Sequence, residues 1–221
     1  MAIKPILFNT EMVRAILDER KSCTRRLVKP QPKSKLCYTF AGSDSGTWGY
    51  PNRTAHEIWG EEFKLPNDIT EEELSKRWNP PYQTDDILYV RETWCGLPVN
   101  EAGHFRGHPI YYYRADGDLR PEGWRGAWHP SIHMPKEAAR IWLKVTDVRV
   151  ERLQDITADG IRNEGLPSMA VHVGDMDVAL KEWETIWNST IKKSDIDRYG
   201  WDANPWVWVI EFERCEKPQE V

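Results

Sequence analysis

No two cysteines of this sequence stand in a C-x-x-C spacing, and there are four of them, Cys23, Cys37, Cys95 and Cys215, in 221 residues. So few, so scattered, are not a disulfide framework, and free thiols in a reducing cytoplasm are expected. The opening run MAIKPILF lacks the apolar segment of a secretory leader. No apolar run approaches the roughly 20 residues that cross a bilayer, so no membrane partner is expected. A phosphate loop, a dinucleotide fingerprint and a G-x-S-x-G elbow are missing, which argues against nucleoside-triphosphate and serine-hydrolase chemistry. No cofactor is expected. An excess of positive charge is missing as well: 30 basic residues face 35 acidic ones, for a formal net charge of −5. A broad DNA-coating face would need the opposite balance.

What is present is an ordinary globular composition, 40% hydrophobic and 29% charged. The length suits one domain, residues 1–221, with an insertion at about 31–84 where prolines, glycines and short β-like runs alternate. Twelve tryptophans are unusual and are expected in the core or in cleft walls. The charge is locally uneven. Arg20, Lys21, Arg25, Arg26, Lys29, Lys33 and Lys35 follow one another with no acidic residue between them. They form either a solvated basic face or the wall of a small anion-binding cleft.

Hydrophobic periodicity gives the elements. Residues 5–8 read as a strand, followed by a helix capped by Asn9 or Thr10 and ending near Glu19 or Arg20. DILYVRETW, 86–94, is a strand on which Glu92 and Trp94 share a face. Residues 110–114 form another, and 139–153 form one long strand or two joined by a bulge at Thr146–Asp147. Thr157 caps a helix stopped by Gly165, a second helix covers about 175–188, and PWVWVIEF, 205–212, is apolar on both faces like a central strand. This mixture implies an α+β fold with a β-barrel core and peripheral helices.

Three strings carry a family resemblance. Glu19–Arg26, ERKSCTRR, resembles the motif G-x-K-x-x-T-x-R through Lys21, Thr24 and Arg26. TDDILYVRETW resembles a family strand through Glu92 and Trp94. RIWLKVTDVRVERLQDIT, followed by Glu164–Gly165 and closed by NPWVWVIEFER, is similar to long phage-type members. The order of the three resembles the ASCH domain family, whose fold is a PUA-like β-barrel. The resemblance implies RNA or a modified nucleoside as ligand. One departure is Glu19, which stands where the motif has Gly; at a helix end that Gly supplies a positive φ, which another residue adopts at a cost of roughly 1 kcal/mol.

The resemblance also implies site residues. Lys21, placed in one helical turn with Thr24, would deprotonate the Thr24 hydroxyl, and Glu92 would act as general acid in hydrolysing an acylated cytidine such as N4-acetylcytidine. Arg25 and Arg26 would hold a phosphate, or Arg26 a developing oxyanion, and Trp94 would offer a flat surface to a base. A ribonuclease would use the same cations. The alternative is structural, with Lys21 and Glu92 forming a salt bridge and Thr24 capping locally. On the hydrolase reading Lys21→Ala is expected to abolish turnover and leave the fold intact. The pairs His104/His108 and His129/His133 have metal-like spacing, but Gly107, Pro109 and Pro130 keep them off helices, so no zinc is expected.

Overall fold

The computed structural model describes residues 1–39, 47–50, 69–96, 110–120, 122 and 126–218. Its centre is a five-stranded sheet. The strands are β1 (Ile3–Leu7), β2 (Cys23–Leu27), β6 (Ile87–Arg91), β9 (Trp142–Arg152) and β10 (Trp206–Cys215), in the order β1-β6-β9-β10-β2. β1 and β6 run parallel, and the other neighbours run antiparallel. The chain is therefore α+β as expected. The hydrogen-bonded ladder does not close: β1 and β2 remain edges, joined where the Arg26 guanidinium donates to the Leu7 carbonyl at 3.0 Å.

β10 is the central strand that its two-faced apolarity predicts. Trp206, Trp208, Ile210 and Phe212 face one cluster, together with Leu88, Val90 and Val150 and the helix α1 (Thr10–Leu17). Val207 and Val209 face another, against Leu153, Ile161, Trp183 and Trp187 of the C-terminal helical layer. That layer consists of α3 (Ala158–Asn163), α4 (Met169–Val173), α5 (Met176–Thr190) and α6 (Ile196–Tyr199). Each large side chain so buried contributes about 1.5–3 kcal/mol. The expected bulge is real: Glu211 pairs with Asp147 and Phe212 with Val145, leaving Thr146 unpaired. Thr157 caps α3 by accepting from the Gly160 N–H, and Asn9 caps α1 by accepting from the Met12 N–H.

A small sheet pairs β3 (Cys37–Thr39), β4 (Thr47–Gly49) and β5 (Arg77–Trp78) beside the short helix α2 (Glu71–Ser75). Two expectations about the main sheet fail. Residues 111–113, β8, pair with β7 (Trp94–Gly96) in a separate ribbon, and the fifth strand of the main sheet is 23–27. The chain leaves the main sheet after Arg91, so strand alternation stops there. Glu92 follows β6, with its N–H against the Met134 sulfur, and Trp94 opens β7 and packs with Ile87 and Tyr89 in a third cluster.

The turn after α1 is built as a glycine would build it. Glu19 has φ 60°, and the Lys21 and Arg20 N–H groups both return to the Ala15 carbonyl. Glu19→Gly should therefore stabilise the protein by about 0.5–1 kcal/mol, read as a higher urea midpoint at unchanged slope. No gain would mean that the left-handed residue is unstrained.

Candidate ligand cleft and the ionic cluster beside it

Alternation along β2 separates its basic residues. Cys23, Arg25 and Leu27 face the helical layer, while Thr24 and Arg26 pair with Ile210 and Trp208 on the other face. Lys21 precedes the strand on an isolated bridge to Glu164. Its ammonium donates to the Cys23 carbonyl at 2.7 Å, the Glu164 carbonyl at 3.0 Å and Glu164 Oε2 at 2.7 Å. An ammonium has three protons, so all are engaged. Arg25 Nη1 donates to Glu164 Oε1 at 3.2 Å, and Nη2 lies 3.5 Å from Glu151 Oε2. The side chains of Lys21, Arg25 and Glu164 are at most 2% exposed. Burial, reinforced by Glu164, pushes the adjacent Cys23 thiol up to about 12, against the opposing effect of Arg25 and Lys21, so it stays protonated.

Lys21 and Thr24 do not share a helical turn, because α1 has ended and Thr24 is on a strand. Thr24 is itself buried. Glu92 has its own partner: Arg140 Nε and Nη2 donate to its carboxylate at 2.9 and 3.1 Å, while Nη1 and Nη2 also hold Asp116. Burial raises the Glu92 pKa above its ordinary value, with Arg140 opposing. No ion pair joins Lys21 to Glu92. Phe8 stands next to both, its ring 5.5 Å from Lys21 Nζ and its N–H donating to the Arg91 carbonyl beside Glu92. Trp94 belongs elsewhere, packed on Tyr111 and His129.

The cleft lies on the edge formed by β2. A cavity of about 630 Å³ is lined by Arg25, Arg26, Lys29, Asn79, Tyr82 and Trp208, among others. Arg26 stacks over Phe8 at 5.7 Å and Lys29 over Tyr199 at 5.0 Å. Neither cation pairs with a carboxylate among the described residues, unlike Lys21 and Arg25.

Glu164 is the functional-looking residue whose role the sequence reading missed. The signal was available, since a lysine buried beside a sheet needs a carboxylate and the Glu164–Gly165 pair was already in view. Of the histidine pairs, His104 and His108 lie outside the described residues. His129 forms a bridge with Trp94, and His133 ends a short 3₁₀ turn. Among the described residues no three His, Cys, Asp or Glu side chains gather as metal ligands, and no helix is long and apolar enough to cross a membrane.

Comparison with protein-family models, curated proteins and solved structures gave no match.

Proposed function

We propose that this chain binds RNA or a modified nucleoside in the cleft beside β2, as an ASCH-like protein with a PUA-like barrel. The observation that carries the reading is the pair of uncompensated cations, Arg26 and Lys29, on the wall of a cavity that also presents Tyr82 and Trp208. Cations without carboxylate partners favour an anionic ligand, and aromatic walls favour a flat one. A volume of about 630 Å³ suits a nucleotide-sized group. The barrel part of the reading rests on the approach of the two edge strands, where Arg26 of β2 reaches Leu7 of β1.

Binding in place of hydrolysis is favoured by the Lys21 ammonium, whose three protons are held by Cys23 and Glu164 and not shared with Thr24. As an amidohydrolase the protein would need Lys21 to give up that arrangement and act as the base for Thr24.

Salt titration tests this. RNA affinity should fall as salt rises, because phosphate contacts release counterions. Arg26→Ala and Lys29→Ala should each reduce the log–log slope by about 0.7 for a single strand. Absence of binding at low salt, or slopes that ignore both substitutions, would sink the proposal. Turnover of N4-acetylcytidine that disappears in Thr24→Val would establish the hydrolase in its place.

A further inference from the structure

Next to the cleft, with Asn79 in both linings, lies a second compartment of different chemistry. It encloses about 460 Å³ and is lined by Tyr38, Trp48, Trp78, Asn79, Gln83 and Asp147. Asn79 lines both cavities. Trp48, on the wall of the second, meets Trp208, on the wall of the first, edge to face with ring centroids 5.3 Å apart. The two compartments therefore share one lining residue, and one ring pair joins their walls.

The charges are divided between them. Among the described residues the first cavity is lined by Arg25, Arg26 and Lys29 and by no carboxylate. Among the described residues the second has no Lys or Arg in its lining, and its acidic group, Asp147, is held through Oδ2 by Arg149 at 2.9 Å. In place of cations it offers the Tyr38 and Trp48 rings, whose centroids are 5.5 Å apart, and the Asn79 and Gln83 amides. An amide both donates and accepts, as the edge of a base requires, and an aspartate accepts from an exocyclic amine. Anion-holding groups in one chamber and base-holding groups in the next match the alternation of phosphate and base along a strand.

We propose that the second compartment is a base subsite, so that the ligand is single-stranded RNA at least a dinucleotide long and not a lone nucleoside. The phosphate lies at Arg26 and Lys29, and the neighbouring base passes Asn79 to stack on Tyr38 and Trp48. A duplex does not fit this description, because its bases are already stacked and its deep groove excludes side chains. The proposal rests on the reading of the first cavity as a nucleotide cleft.

Calorimetric titration at low salt with cytidine 5′-monophosphate and with the cytidylyl dinucleotide and trinucleotide tests it. Stacking of the added base should tighten dinucleotide binding over mononucleotide binding by roughly 5- to 150-fold. Tyr38→Ala and Gln83→Ala, both in exposed positions, should shrink that gain and leave mononucleotide affinity unchanged. Trp48→Ala should abolish the gain, with circular dichroism showing that the main sheet is retained. Mononucleotide binding that responds to Arg26→Ala, with no gain from the second nucleotide, would overturn the base subsite and leave the cleft. A gain that survives both Tyr38→Ala and Trp48→Ala would overturn it as well. Failure of every probe to bind would overturn both readings.

Discussion

Glu164→Gln should lower stability by about 3–5 kcal/mol, although it changes one oxygen for one nitrogen. The cause is what it leaves behind. Lys21 and Arg25 are at most 2% exposed, and Glu164 is the carboxylate that both of them contact, with Glu151 only at 3.5 Å from Arg25. A neutral amide leaves two like charges facing each other out of water. In a protein of this size the loss corresponds to a fall in melting temperature on the order of 6–20 °C. Lys21→Ala should be damaging too, because it strips three hydrogen bonds from buried oxygens. That corrects the expectation that a lysine at this position can be removed without touching the fold: its side chain is 0% exposed. Loss of any activity in a Lys21 variant is therefore interpretable only beside a stability measurement. The triple replacement Lys21→Met, Arg25→Met, Glu164→Met removes charges and partners together and should recover most of the loss. Urea denaturation of the three proteins decides the matter. A Glu164→Gln protein within about 1 kcal/mol of the original would show that water, and not Glu164, compensates the cations.

Asn9, Thr157 and Gly165 were legible because caps and helix stops are local: each needs only a short side chain or a missing one at a defined offset. The bulge at Thr146 was legible because two apolar patterns meet there out of phase. β2 was not legible. Its sequence, CTRRL, looks like a solvated basic segment, because Arg25 is buried only by virtue of Glu164, well over a hundred residues away. A strand stabilised by a distant ion pair leaves no apolar alternation to find. Glu92 and Trp94 were placed on one face because alternation was extended past Arg91. The chain instead turns there, with Glu92 N–H against the Met134 sulfur and Trp94 starting a new ribbon. Of the expected site residues, Arg25 and Arg26 do lie on one cleft, Lys21 stands behind it with Glu164, and Glu92 and Trp94 are held by partners of their own. The second aromatic compartment went unread because Tyr38, Trp48 and Trp78 come from the segment taken as an insertion.

Gly165→Ala should cost about 2–5 kcal/mol, the sum of two effects that a neighbouring glycine separates. Gly165 has φ 87°, in the left-handed region that an alanine adopts at about 1–2 kcal/mol. A Cβ there would also come within 2.7 Å of the Ala15 Cβ and 2.8 Å of the Lys21 Cβ. Neither of those atoms sits on a flexible end. Ala15 is fixed in α1, and Lys21 is tied at both ends, by its backbone to Ala15 and by its ammonium to Glu164. Overlap against such neighbours forces the backbone to shift, which typically costs a further 1–3 kcal/mol. The shift would fall on the residue beside Glu164 and so loosen the Lys21 pair. Gly174 is the control. Its φ is 80°, but a Cβ there would meet nothing within 4 Å. Gly174→Ala should therefore show the conformational part alone, about 1–2 kcal/mol. Ala15→Gly in the Gly165→Ala background removes one of the two overlaps, and should return part of the difference between the two alanine variants. Equal losses for Gly165→Ala and Gly174→Ala in urea denaturation would mean that α1 gives way freely. The close approach that seats Glu164 on Lys21 would then not be what Gly165 is there to allow.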